Sequence, residues 1–194
     1  MLRVATAVLV HRDRHWSREW AKQAAIVISA SLFVAVCARL TVPLPFTPVP
    51  LTLSNFAVLA VGLLLGSRRG FAALALYLME GAFGLPVFSP SPLGGGIAQI
   101  LGPTGGFLMA YPVAAFVAGW IYERMSHRFG WAALSAVAAE LLIFAGGLSW
   151  LAVGTHSISL AIRYGLYWFV FAEVIKVLMA AGLAARWHQR SAES

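Results

Sequence analysis

Residues 51–70 read LTLSNFAVLAVGLLLGSRRG, and their reading decides the fold. From Phe56 to Leu65 no charged side chain interrupts the apolar residues, and the run ends at Gly66-Ser67-Arg68-Arg69-Gly70 with two adjacent arginines. An apolar segment with bases at one end only reads as a membrane span, and the bias of Lys and Arg between successive connections sets its orientation. Working outward, the pattern repeats. Eleven of the fourteen Lys and Arg residues (Arg3, Arg12, Arg14, Arg18, Lys22, Arg68, Arg69, Arg124, Arg128, Arg186, Arg190) fall in the two tails or in alternate gaps between apolar segments. The other gaps hold only Arg39 and Arg163, and Lys176 lies inside the last segment. This bias places GSRRG (66–70), RMSHRFG (124–130) and both termini on the cytoplasmic side.

Composition agrees. The 194 residues are 60% apolar and 11% charged, with a mean hydropathy of +0.81, whereas a soluble domain carries about 25% charged residues. At about 20 residues per crossing, the chain holds six transmembrane helices and little else. The expectation is an all-α integral membrane protein of the inner (plasma) membrane, with spans near 21–40, 51–66, 70–83, 105–124, 131–153 and 166–187. Residues 1–20 then form a cytoplasmic N-terminal extension, for which an interfacial helix is one form. Residues 21–187 make up the six-helix membrane domain, and 188–194 a cytoplasmic tail. The net charge of +7 flanks the spans instead of forming a stripe with interleaved aromatics, so nucleic acid is not indicated and membrane lipid headgroups are the expected partner. Cys37 is the single cysteine, which excludes an internal disulfide and a cysteine metal site. The histidines lack ligand spacing, so neither metal nor cofactor is expected. There is no G-x-x-x-x-G-K-[ST] motif, so energy for uphill movement has to come from a partner.

Two connections on the other side are rich in Pro and Gly: TVPLPFTPVP (41–50) and GLPVFSPSPLGGGIAQILGPTG (84–105). Prolines lack a backbone donor and hold their predecessors extended, which excludes regular helix in the first. The second and third spans are shorter than a bilayer is thick. Irregular backbone at membrane depth is tolerated where protein covers it or where it lines a wet cavity, so both loops are expected to fold back over a pocket.

Several side chains could serve such a pocket. Glu173 and Lys176 stand at i, i+3 on one helix face, and an isolated Lys at mid-helix costs about 2.5–3.5 kcal/mol on insertion scales. They either neutralise each other as a structural pair, with the Lys free to snorkel, or face a polar ligand. Glu140 either joins a buried network with Lys176 or is a neutral acid, and Glu80 stands beside Gly81 at the outer end of the third span. In Gly102-Pro103-Thr104-Gly105-Gly106, open N–H groups at a helix start and Cβ-free backbone suit an acceptor on a ligand; a tight turn with Thr104 as N-cap accounts for it equally. Asn55 and Ser54 offer amide and hydroxyl contacts or simple capping. Tyr77, Phe88 and Trp168 could stack on an apolar ring, although aromatics near span ends commonly anchor at the interface. On the first span Ala21, Ala25 and Ser29 recur every fourth residue, and Ser31 and Ala35 do so on a neighbouring stripe, a spacing that permits close helix contact with a partner. No G-x-S-x-G or H-E-x-x-H is present; an enzyme reading rests on Glu140 and His156 alone.

Taken together, LPFTPVPLTL (44–53), LLLGSRRG (63–70), LYLMEGAFGLPVF (76–88), LGPTGGFL (101–108) and the E-x-x-K of Glu173 to Lys176 resemble the BioY family, the biotin-binding S components of energy-coupling factor (ECF) vitamin transporters. The resemblance covers about residues 25 to 187. It implies the six-helix S-component fold, with a vitamin pocket capped by the two outer loops. It also implies a scaffold subunit and an ATPase pair as partners, with small residues of the first helix, here Ala21, Ala25, Ser29, Ser31 and Ala35, at the scaffold contact. Some members of the family are thought to act without such a module. Lys176 matches the family's D-x-x-K motif, and Glu173 stands for its Asp. Phe171-Ala172 replaces a Pro-Gly, so the helix break there is lost or displaced. Ser54 stands where Gln is usual, and Glu80 where an apolar residue is usual. The implied function is capture of biotin outside and its delivery inward without chemical change; an S component for a biotin precursor or another small vitamin is the nearest alternative, a membrane enzyme the more distant one.

Overall fold

The structure, a computed structural model, describes residues 2–91 and 94–193, with side chains for those of them between 18 and 190. Helix α1 runs from Leu2 to Arg39. The segment contains neither Gly nor Pro, so nothing interrupts the hydrogen-bond ladder, and the expected extension and first span form one continuous helix. Strands β1 (Thr41–Val42) and β2 (Leu51–Thr52) then pair antiparallel, Thr41 opposite Thr52. Pro43 follows β1 and Pro50 precedes β2; lacking a donor, each stops the ladder there and leaves a proline loop on a two-rung stem.

Helices α2 (Ser54–Leu65) and α3 (Ser67–Ala82) follow. The single residue between them, Gly66, has φ 83°, a conformation open to glycine and strained for other residues. At 12 and 16 residues the two helices extend about 18 and 24 Å, both short of the roughly 30 Å hydrocarbon layer. The second loop carries the short helix α4 (Ile97–Leu101) and leads into α5 (Gly105–Tyr122) and α6 (Phe129–Thr155). The chain ends in α7 (Ile158–Gly165) and α8 (Val170–Glu193).

Helical segments occupy all six expected positions. Among the described residues, 18–39, α5 and α6 are long and apolar enough to cross a membrane alone; α7 and α8 qualify together as a pair bent by 54°. The expected last span therefore lies partly in the wrong place: the helix begins at Ile158, stops, and restarts at Val170. The break that the replacement of Pro-Gly put in question is present but displaced, at 166–169.

Helix α5 lies at the centre against α2, α3 and α6. Small residues set these distances. A Cβ added at Gly119 would lie 2.4 Å from the Ser67 nitrogen and 2.8 Å from the Gly62 oxygen, and one added at Gly62 would lie 2.5 Å from the Ala115 oxygen. Across the α5–α6 contact, a Cβ at Gly106 would meet Trp150 Cβ at 2.3 Å and the Gly146 oxygen at 2.4 Å. Such approaches bring van der Waals contact without a hydrophobic driving force, as helices in lipid require. The outer surface of the bundle is apolar, with Leu32, Val36, Leu141, Val174 and Met179 all exposed, as a lipid-facing surface demands.

At the end of the bundle that carries the arginine-rich connections, the His127 and His188 rings stack at 4.4 Å and both contact Tyr122 edge-on. This ties the α5–α6 connection to α8. Partial desolvation and then the neighbouring His188 hold the His127 pKa below its usual value. A depressed histidine pKa means that folding favours the neutral ring. The contribution is therefore complete above the ordinary histidine pKa and is lost as pH falls through the lowered value. Amide protection factors at residues 124–128, taken relative to the intrinsic exchange rate at each pH, are expected to fall as pH drops from 7 to 5, and His127→Phe to abolish that fall; equal protection at both pH values would refute it.

Candidate functional site

The pocket expected beneath the two loops is present. It lies at the proline-loop end of the bundle. Val49 and Pro50 of the first loop, Ser89 of the second and Thr104 at the head of α5 form its upper rim. Phe107, Phe144 and Phe169 supply apolar walls, and Asn55, Tyr77, Tyr111 and Glu173 line it with polar groups. Above it lies a wider vestibule between the loops, whose lining shares Pro50, Ser89 and Thr104.

Local contacts fix the loops over this space. Thr47 donates its hydroxyl to the Tyr164 carbonyl at 2.7 Å, and Phe46 packs on Trp168 with centroids 4.5 Å apart, so the first loop is held to the α7–α8 corner. The Gln99 amide of α4 donates to the Ser89 carbonyl at 2.9 Å. Arg39 donates to the Pro86 carbonyl, joining the end of α1 to the second loop.

The polar lining is a buried network. Lys176 Nζ donates to Glu173 Oε1 at 2.6 Å, and the two residues are 7% and 4% exposed. The Tyr111 hydroxyl donates to Asn55 Oδ1 at 3.0 Å, and Asn55 Nδ2 donates to Glu140 Oε1 at 2.8 Å. Tyr77 and Tyr111 stack at 6.5 Å. Two groups in the lining residues remain unpaired: Glu173 Oε2 and the Tyr77 hydroxyl are buried without a hydrogen-bond partner. Buried polar atoms in folded proteins are overwhelmingly paired, so an acceptor and a hydroxyl left open on one cavity mark where a solute's polar groups would pair. The arrangement suits a small molecule with an apolar ring body and N–H donors.

The structure brings Glu173, Lys176, Asn55, Tyr77 and Thr104 to this place, Lys176 through its bond to Glu173. It places the other candidates elsewhere. Glu80 accepts from the Ser31 hydroxyl across the α1–α3 contact at 2.5 Å and does not line the cavity. Phe88 is buried edge-on behind Tyr77 at 5.3 Å. Trp168 holds the loop from outside. Gly105 and Gly106 serve helix packing: a Cβ at Gly105 would lie 1.7 Å from the Ile100 oxygen, so their missing side chains admit Ile100 and Trp150. On α1, Ala21, Ala25 and Ser29 are exposed, whereas Ser31 and Ala35 turn into the bundle. Sequence reasoning missed Tyr111, Phe107, Phe144 and Phe169. Tyr111 left a signal, since a hydroxyl deep in an apolar span needs a partner.

Comparison with known proteins places this architecture. The chain resembles the biotin transporter BioY of Thermotoga maritima, with 37% identity over 161 residues that cover 82% of this chain and 94% of that protein. A probable biotin transporter BioY of Pyrococcus horikoshii is likewise 37% identical, over 168 residues, 86% of this chain and 96% of the relative. The fold matches the crystal structure of the S-component for biotin from an ECF-type ABC transporter with a TM-score of 0.80 at 22% identity, over 89% of this chain and 93% of that one. The model of the BioY family matches residues 8–193, and the chain, a multi-pass membrane protein, belongs to that family.

Proposed function

We propose that this chain takes up biotin: it captures the vitamin in the cavity at the proline-loop end and delivers it inward chemically unchanged. The observation that carries the reading is the buried, unpaired Glu173 Oε2 on the cavity lining, on a carboxylate whose other oxygen accepts from the Lys176 ammonium. The cyclic urea of biotin presents N–H groups that such a carboxylate accepts, and charge-assisted bonds of this kind are about twice as strong as neutral ones. In this reading the bicyclic rings lie among Phe107, Phe144, Phe169 and Tyr77, and Lys176 together with the turn at Thr104 supplies donors to oxygens. The names of the relatives support biotin over another small vitamin.

The reading extends to orientation and partners. The bias of basic residues puts both termini and the arginine-rich connections in the cytoplasm, so the cavity opens outward from the plasma membrane. The exposed stripe of Ala21, Ala25 and Ser29 meets an ECF scaffold subunit that carries the ATPase pair. Ser31 and Ala35, being buried, take no part in that contact.

The test is calorimetric titration of the purified protein with biotin, with dethiobiotin and an unrelated vitamin as competitors. Saturable binding of biotin, untouched by the unrelated vitamin, is expected. No saturable binding, or tighter binding of dethiobiotin, would overturn biotin as the ligand.

A further inference from the structure

We propose that the arginine end carries a binding site for an anionic phospholipid, in the groove between the start of α3 and the end of α5. The groove is lined by Arg68, Arg69 and Arg124 beside Trp120 and Phe116. Its one acid, Glu123, also lines the groove and is bonded to the start of α3: Oε1 accepts the Ser67 backbone N–H and Oε2 accepts the Ser67 hydroxyl, both at 2.8 Å. Both carboxylate oxygens are thus committed to the first turn of α3, and three guanidiniums stand over the groove.

These guanidiniums are posed rather than consumed. Arg69 Nε donates to Gln23 on α1 at 2.7 Å, which leaves its two terminal nitrogens uncommitted by that bond. Arg124 lies over the Trp120 ring at 4.2 Å and spends one nitrogen on the Trp120 carbonyl at 2.9 Å. Arg68 makes no hydrogen bond or ion pair among the described residues. The planar fork of a guanidinium matches phosphate oxygens two at a time.

What distinguishes a lipid from a soluble anion is the surface leading away from the charge. Trp120, Phe116 and Val113 follow one another at helical spacing along α5 and are all exposed; Phe71 of α3, also exposed, meets Phe116 edge-on at 6.5 Å. This apolar track begins at the arginines and runs toward the middle of the bundle. A free phosphate has no use for it, whereas an acyl chain attached to that phosphate does. Basic recesses between helices at the membrane boundary are suited to anionic headgroups.

The experiment is native mass spectrometry of the purified full chain with added phosphatidylglycerol or phosphatidylcholine. Wild type is expected to retain phosphatidylglycerol preferentially. The double variant Arg68→Gln/Arg124→Gln, which alters only exposed side chains, should lose roughly 25-fold in that affinity, from about one surface charge contact per arginine. Phe116→Ser should weaken the lipid and leave any binding of inorganic phosphate unchanged. Equal retention of the two lipids, an unchanged double variant, or displacement of phosphatidylglycerol by inorganic phosphate mole for mole would each overturn the proposal. Biotin binding is not needed for any arm, so the two readings fail separately.

Discussion

Lys176→Ala is expected to lower biotin affinity by about 100-fold and to destabilise the fold by about 3–5 kcal/mol, the usual result of removing one partner from a buried ion pair. Arg163→Ala is expected to change neither. The contrast follows from position: Lys176 is 7% exposed and bonded to Glu173, whereas Arg163 is exposed on α7. Without the ammonium, Glu173 and Glu140 share a desolvated interior with no cation among the groups described there, and Glu173 regains electroneutrality only by taking a proton. A protonated acid is a weaker acceptor for a solute's N–H groups; a hydrogen bond to a charged group contributes roughly 1.5–3 kcal/mol, which spans the stated loss. Titration of binding and denaturant unfolding in micelles measure the two effects. Glu173→Gln takes the charge from Lys176's hydrogen-bond partner and so breaks the same buried pair from the other side: affinity and stability should both fall, about as far as for Lys176→Ala. Equal losses from Lys176→Ala and Arg163→Ala would remove Lys176 from the site.

Gly119→Ala is expected to destabilise by about 3 kcal/mol, the upper part of the overpacking range. The added methyl would stand within 2.8 Å of three backbone atoms, Ser67 N, Gly66 C and Gly62 O. Backbone cannot turn aside as a flexible side chain can, so α5 has to withdraw from the α2–α3 corner. That withdrawal also stretches the Glu123 to Ser67 bonds one turn on. Gly154→Ala provides the control: nothing lies within 4 Å of its added methyl, so replacing glycine in a helix should be neutral or gain about 0.5–1 kcal/mol. Thermal unfolding of both variants decides the matter. A Gly119→Ala protein as stable as Gly154→Ala would show that the seam has slack.

The order of helices and loops was legible because lipid imposes a coarse rule: apolar residues inside, bases at alternate ends, proline where the backbone is covered. Glu173 and Lys176 were legible for a related reason, since charge within a span needs a local partner and three residues supply one. Partners across helices were not. Glu140 finds Asn55 across 85 positions, and Glu80 finds Ser31 across 49; periodicity tells which face a residue occupies but not which helix lies opposite. Glu80 therefore read as a pocket acid although it links α1 to α3. The aromatics failed in the same way: Phe88 and Phe107 both lie near a loop, and only packing decides that Phe107 meets the cavity. Gly105 and Gly106 suited either ligand approach or helix approach, and Trp150 occupies the space. The position of the bend before α8 escaped, although a displaced break was one of the two outcomes expected, because LYWF at 166–169 contains no breaker residue.

The clasp between the first proline loop and the α7–α8 corner has a kinetic consequence. Thr47 and Tyr164 are 117 positions apart, and with Phe46 on Trp168 they form the fastening that has to part before this loop lifts. A captured molecule's dwell time then depends on how often the clasp lets go as well as on how firmly the carboxylate holds. Tightening the latch would slow entry and escape together and leave the equilibrium constant almost where it was.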